Sequence, residues 1–346
     1  MDKFEEAIIS RCYCFLIHMI NTSFLKKFLT FTPVIGNFVS KYNTLREKYN
    51  KLREEHDKLR EEHNKRQEEI KQLVGIMTKA DSIHSYLLYP GFDQAQLLVT
   101  LTGDPYQLSD FNNCLKFLKD NYWITPEKNV FLDIGANIGS MSIYAIASGT
   151  FTQAIAIEPS SLNFQFLQWN IRINNLDNKI QAIQYGLADF LGVGNIICSP
   201  YNCGDFRMSS NFDGSSQNLY HEEQFTTERV PFSTLDYLSS QYNIVPEKIG
   251  WICIDCQGSE GLIFKGGQEF LKKVNAPIYV EFWPYGINRL GCCEEYFDFI
   301  VQYPAEIFRW VDNQPELITL DFLKNFYAEN VHKTLHLDIL LLPARH

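Results

Sequence analysis

The stretch Val130 to Gly139, Val-Phe-Leu-Asp-Ile-Gly-Ala-Asn-Ile-Gly, constrains the fold more than any other part of the chain. Val130, Phe131, Leu132 and Ile134 form a short apolar run suited to a buried parallel strand. Gly135 allows a tight turn and close approach of the backbone to a ligand. Asn137 is positioned to cap a helix from about Ile138 to Ala147. Strand, glycine turn and helix together predict a nucleotide-type crevice at the carboxyl end of a parallel sheet.

The spacing of the glycines narrows the ligand. A dinucleotide fold asks for Gly-x-Gly-x-x-Gly, with a helix N-terminus facing a pyrophosphate. Here Gly135 and Gly139 enclose three residues, a looser loop that suits S-adenosylmethionine and argues against a nicotinamide dehydrogenase. A second apolar strand, Ala154 to Ile157, ends in Glu158, which lies 25 residues after Asp133. An acid at that strand end is placed to accept the hydroxyls of an adenosine ribose.

After Gly139 strands and helices alternate, which predicts a doubly wound, mostly parallel α/β sheet. Strands are expected at 154–157, 180–185, 251–255, 278–282, 307–310 and 335–342, and helices at 160–174, 234–240, 260–271 and 294–303. The late return of the last strand fits a seven-stranded sheet with one antiparallel member. Residues 190–232 are glycine-rich and expected to contain hairpin strands.

Upstream, residues 1–41 form an apolar arm whose longest uncharged run near the start, Cys12 to Leu25, is shorter than the ~20 residues of a spanning helix. It reads either as a helix at the cytoplasmic face of a membrane, with Lys26, Lys27 and Lys41 toward anionic lipid, or as a helix docked on protein. Residues 42–77 repeat every seven positions, with Tyr42, Tyr49, His56, His63, Ile70 and Met77 on one core position and leucines at 45, 52, 59 and 73 on the other. That period predicts a self-associating coiled coil. Residues 78–128 are expected to link the coil to the domain and cover the ligand mouth, with a strand at 97–101 and a helix at 108–121. The main domain is expected over 129–346.

Charge excludes a nucleic-acid partner. Residues 1–77 carry 14 basic and 11 acidic groups, leaving 17 basic against 30 acidic in the rest. Nine cysteines with no disulfide pattern point to free thiols in a reducing, cytoplasmic compartment. Cys253 and Cys256 have metal-like spacing, but they fall on an apolar strand where positions three apart face opposite sides, so no metal site is expected.

Asp133-Ile-Gly-Ala-Asn-Ile-Gly139, Glu158-Pro159, Leu167-x-x-Asn170-x-x-x-Asn174, Thr234-Leu-Asp236, Ile254-Asp-Cys-Gln-Gly-Ser-Glu260, Gly267 and Glu281 together resemble the FkbM-type methyltransferases. The resemblance covers roughly residues 111–285. It implies a class I S-adenosylmethionine-dependent fold and O-methylation of a sugar, glycan or other hydroxyl-bearing natural product. By that resemblance Asp133, Gly135, Asn137 and Gly139 form the cofactor loop. Glu158 holds the ribose, Ala188 and Asp189 lie near the adenine, and Asp255 faces the methionine and the transferred methyl. Where the family usually has Asp-Val-Glu-Gly, this chain has Asp255-Cys256-Gln257-Gly258.

Candidate bases are Asp255, Glu281 and Glu260, with Asp255 first because it ends the strand opposite the loop. Asp255 is equally suited to capping the next helix or binding the cofactor amine. His221 is an outside candidate, and Trp283 and Tyr285 are suited either to stacking on a sugar face or to the core. The missing carboxylate at Gln257 also admits a non-catalytic reading, a methyltransferase-like scaffold assembled through the coiled coil.

Overall fold

The computed structural model describes Thr44 and residues 46–60, 75–80, 85–93, 108–209, 219–220 and 222–345. The apolar arm, the strand expected at 97–101, most of the coiled coil and His221 lie outside the described residues. The chain divides into two compact units, residues 1–70 and 71–346. In the first, residues 46–60 are helical, and Tyr49, Leu52 and Leu59 are exposed. Among the described residues no helix is long and apolar enough to cross a membrane.

The second unit begins with a hairpin, β1 (Gly75–Ala80) and β2 (Ser85–Pro90). Met77, expected as the last core position of the coil, instead pairs with Leu88 in this hairpin. Gly75 disfavours continued helix, and the β-branched Ile76 and Thr78 favour strand. The chain then forms α1 (Leu108–Asp120), β3 (Val130–Ile134), α2 (Ser140–Ala147), β4 (Gln153–Ile157), α3 (Ser161–Ile173) and β5 (Ile180–Ile183). Next come β6 (Gly186–Leu187), β7 (Gly192–Cys198), β8 (Arg207–Met208), β9 (Thr226–Ser233), α4 (Leu235–Gln241) and β10 (Ile249–Ile254). The rest is α5 (Glu260–Gly266), α6 (Gln268–Lys273), β11 (Ile278–Phe282), α7 (Pro284–Leu290), α8 (Cys293–Gln302), β12 (Pro304–Val311), β13 (Gln314–Ile318), α9 (Leu320–Asn330) and β14 (Leu337–Pro343).

The main sheet runs β13-β12-β14-β11-β10-β3-β4-β5. Pairs from β5 across to β11 are parallel, whereas β14 is antiparallel to both β11 and β12, and β13 to β12. The described sheet therefore has eight strands where seven were expected. The extra one, β13, exists because Asp312 and Asn313 both adopt positive φ (50° and 61°) and close a tight hairpin after β12. The strand order reverses between β3 and β10, since β3 leads to β4 on one side and pairs with β10 on the other. Crevices in doubly wound sheets open at such a reversal.

Alternation along the strands sends side chains to two apolar layers. Val130, Leu132 and Ile134 of β3 join Ile252 and Ile254 of β10 under α4 to α9. Phe131, Trp251 and Cys253 face the other way, toward α1, α2 and α3. Residues 108–120, expected within a cover, thus supply a helix to one face of the sheet. Phe111 of α1 is fully buried, stacked 5.2 Å from Trp251 and 6.4 Å edge-on from Phe131. The helix expected over 260–271 is two helices. Asp236 accepts the backbone N–H groups of Glu269 and Phe270 (3.2 and 2.7 Å), satisfying the first turn of a separate α6. Strands within residues 186–233 build a second sheet, four-stranded among the described residues, β6-β9-β7-β8, beside the main one.

Phe111→Ala is expected to destabilise the chain by about 3–5 kcal/mol, the range for an aromatic deleted from a packed core. Denaturant melts measure this, and a loss below about 1 kcal/mol would place α1 outside the cooperative core.

Candidate active site

The turn after β3 is built on one close backbone approach. Gly135 has φ +82°, and a Cβ there would lie 1.9 Å from the carbonyl oxygen of Asp255. No other residue fits between the ends of β3 and β10. The Gly135 and Ala136 N–H groups both donate to the Ile157 carbonyl at 3.0 Å, tying the turn to β4. Asn137 follows at φ +51°, and its N–H donates to Glu158 Oε2 at 2.9 Å. Glu158 Oε1 accepts the Ser160 N–H at 2.8 Å. Its carboxylate therefore joins the glycine turn to the start of α3, and both oxygens keep lone pairs for a further donor.

Asn137 is not the helix cap that its position suggested. The helix starts later, at Ser140, after Gly139 in the left-handed region, and no side chain caps it from that position. Asp133 does the capping from within the strand. Its Oδ2 accepts the Ser142 N–H at 3.0 Å and the Ser142 hydroxyl at 2.6 Å. Asp133 thus acts on the loop by holding α2, while the Asn137 side chain accepts from the Cys203 thiol at 3.4 Å.

On the opposite rim, Asp255 follows β10, and its N–H donates to the Ile134 carbonyl at 3.0 Å. Gln257, at φ +54°, turns its amide back over this rim. Gln257 Nε2 donates to Asp255 Oδ1 at 2.8 Å and reaches the two Glu281 carboxyl oxygens at 3.3 and 3.5 Å. The residue that departs from the family pattern therefore bridges two of the three candidate bases. The third, Glu260, is fully buried, and its Oε1 accepts the N–H groups of Cys256 and Gly258 at 2.9 and 3.3 Å. Glu260 shapes the turn and is not at the cavity.

These elements line one crevice. Gly135, Asn137, Glu158, Asp255 and Gln257 line it, with Leu187 and Phe232 as an apolar wall. A second, smaller lobe shares Gly135, Asn137 and Asp255 and is bounded by Asp133 and Met141. Ala188 and Asp189 are not among the lining residues. Ala188 packs with Ile196 and Val230, and Asp189 pairs with Lys265 at 3.1 Å. The strand expected to reach Tyr185 stops at Ile183, so the wall is made by Tyr185 to Leu187 instead.

Trp283 and Tyr285 are buried and face Tyr220 at 5.3 and 5.6 Å, so they form no open platform. What occupies the aromatic cluster is Arg207. Its guanidinium lies 4.7 Å from the Tyr220 ring and 5.1 Å from Trp283. Arg207 also lines the main cavity, and neither it nor its neighbour Arg289 carried a sequence signal. Cys253 and Cys256 are free thiols raised well above their ordinary value by burial, and no metal-ligand cluster exists among the described residues.

The model of the methyltransferase FkbM domain matches residues 133–310, just over half of the chain. The chain belongs to the FkbM methyltransferase family. Among solved structures it is similar to the methyltransferase FkbM of Methylobacillus flagellatus KT, at 15% identity over 62% of this chain and 44% of that one, with a TM-score of 0.36. It is also similar to an O-methyltransferase of Bacillus cereus in complex with SAH, at 11% identity over 72% and 98% of the two chains, with a TM-score of 0.34. The chain thus spans less than half the length of the Methylobacillus protein. No curated protein matches it.

Burial dominates the electrostatics of the site. It raises Asp133 and Glu158 to about 7, although the hydrogen bonds from Ser142, Ser160 and Asn137 oppose it. Glu260 is also raised, and Glu281 well above its ordinary value, again by burial first and then by the nearby Asp255 charge. Each carboxyl binds its proton more tightly in the fold than in the unfolded chain, where about 4 holds. For Asp133, Glu158 and Glu260 the stabilisation this gives is complete below about pH 4 and is lost as the pH rises through about 7; for Glu281 it is lost as the pH rises further still. The ligand-free chain should melt at a lower temperature at about pH 8.5 than at about pH 6, and Glu281→Gln should narrow the gap. Equal melting temperatures at the two pH values would contradict this picture.

Proposed function

We propose that the chain is an S-adenosylmethionine-dependent O-methyltransferase acting on a hydroxyl of a sugar, glycan or related natural product. The observation that carries this reading is the pairing of two features in one cavity. Glu158 sits beside the glycine turn, and Asp255 and Gln257 sit on the opposite rim, with Glu281 hydrogen-bonded to Gln257 behind the lining. The residues present fit the cofactor. The Gly135 cradle admits close backbone approach, Glu158 offers oxygens to ribose hydroxyls, and Leu187 and Phe232 offer an apolar wall to a base.

When bound, S-adenosylmethionine supplies an electrophilic methyl group next to a positive sulfur. The buried acids favour such a cation, and the cation in turn lowers their proton affinity. Asp255 is assigned as the group that takes the proton of the acceptor hydroxyl. Gln257 orients it and holds Glu281 close behind.

Glu158→Ala should weaken S-adenosylhomocysteine binding at least about tenfold by calorimetry. Asp255→Asn should keep most of that affinity yet lower kcat by roughly a hundredfold or more on any accepted substrate. Undiminished turnover in Asp255→Asn removes it as the base, and unchanged affinity in Glu158→Ala removes the ribose assignment.

The helix at residues 46–60 supports self-association, because Leu52 and Leu59 stand exposed one heptad apart, where a second copy of the same helix would cover them. The intact chain is expected to sediment as a dimer or larger species, and Leu52→Lys with Leu59→Lys as a monomer. A wild-type chain at monomer mass would sink the coiled-coil reading.

A further inference from the structure

Two neighbouring buried arginines, one of which lines the cavity, carry hydrogen-bonding capacity that the fold does not use. The side chains of Arg207 and Arg289 are 0% and 2% exposed. Arg207 Nη2 lies 3.0 Å from one Asp205 oxygen and 3.1 Å from the other. Arg289 Nη2 donates to the Met208 carbonyl at 2.8 Å, which ties α7 to β8. Beyond these, Nε and Nη1 of both arginines have no hydrogen-bond partner among the described residues. A guanidinium presents five N–H donors in a rigid fork, and leaving them unmet in a buried place is costly.

One oxygen already lies between the two forks. Glu222 Oε1 is 3.3 Å from Arg207 Nη1 and 4.0 Å from Arg289 Nε, yet it forms an aligned hydrogen bond with neither. Glu222 belongs to a short turn, Glu222–Gln224, and its side chain is 20% exposed. It enters the cluster from the solvent side, whereas the arginines are enclosed. Tyr220, Phe225 and Trp283 pack around the Arg207 guanidinium within about 5 Å and keep the cluster dry. Replacing the Glu222 carboxylate with another oxyanion would keep at least one compensating negative charge on the forks, with Asp205 still paired to Arg207. Such an exchange avoids the penalty of an uncompensated buried ion. The same Arg207 lines the cavity that contains Asp255 and Gln257.

We propose that Arg207 and Arg289 form an oxyanion subsite for the methyl acceptor, which takes a carboxylate or phosphate group by displacing Glu222. The proposal rests on the reading of this cavity as the acceptor side of a methyltransferase. A fork that accepts an oxyanion bidentately gives both strength and orientation. A neutral acceptor cannot displace Glu222, so the exchange also selects against uncharged sugars.

The test is calorimetry on the full chain saturated with S-adenosylhomocysteine. The probes are glucuronate, glucose 6-phosphate, inorganic phosphate and glucose. At least one anionic probe should bind roughly tenfold or more tightly than glucose, and the preferred one identifies carboxylate or phosphate as the source. Glu222→Gln, which removes the competing carboxylate, should raise affinity for that probe and leave glucose unchanged. A merely structural Glu222 would give no such gain. Arg289→Gln should abolish the anionic advantage. Equal binding of all four probes, binding of none, or no gain in a folded Glu222→Gln overturns the subsite. If Glu222→Gln does not fold, the wild-type ranking with Arg289→Lys decides, because lysine keeps the charge and loses the fork. The cofactor reading fails separately, by absence of S-adenosylhomocysteine heat. In that case the anionic probes are titrated against the chain alone.

Discussion

The structure depends on the contact between the backbone at Gly135 and the carbonyl of Asp255. The contact lies where the strand order reverses, and it lets the ends of β3 and β10 touch. From it follow the tilt of the turn that brings the Asn137 N–H to Glu158 and the placement of Asp255 on the opposite rim. A side chain at Gly135 would push these rims apart, so one hydrogen atom in place of a methyl decides whether the cavity has two facing walls.

Around that contact the site concentrates carboxyls in a low dielectric. Asp133, Glu158, Glu260 and Glu281 all bind their protons more tightly than in water, and burial is the first cause in each. Such a cluster is poorly stable as a set of anions and well suited to a cationic guest. The backbone N–H groups that reach Glu158 and Glu260, and the amide of Gln257, orient these acids without adding charge. Gln257 adds hydrogen bonds where a glutamate would add a further like charge beside Asp255 and Glu281. Its departure from the family pattern is consistent with an active rim.

What could be read from sequence was local. The strand, turn and helix at 130–147 and the acid at Glu158 are written in contiguous patterns, and the structure brings them together. Boundaries were legible only to within a turn. The expected strand to Tyr185 stopped at Ile183, and Tyr185, Gly186 and Leu187, not Ala188 and Asp189, line the cavity. Asp133 was legible as a loop residue, but its partner Ser142 lies across a helical turn and carries no pattern. The hairpin closing β13 depends on two consecutive positive-φ residues, Asp312 and Asn313, without the glycine that usually marks such turns. Helix α7 is a seven-residue segment that Pro284 initiates, too brief for a hydrophobic period to announce. The Arg207, Glu222 and Arg289 cluster was invisible, because it joins residues far apart in the chain that only the second sheet and α7 bring together.

We read the cavity closed by Gly135 and Asp255 as the seat of S-adenosylmethionine. Titrating the intact chain by calorimetry with S-adenosylmethionine, beside NADH as a control, tests it most directly. The account predicts micromolar-range, saturable binding of S-adenosylmethionine, about 8 kcal/mol of affinity, and no heat from NADH. Binding of NADH, or of neither compound by a folded chain, would contradict it.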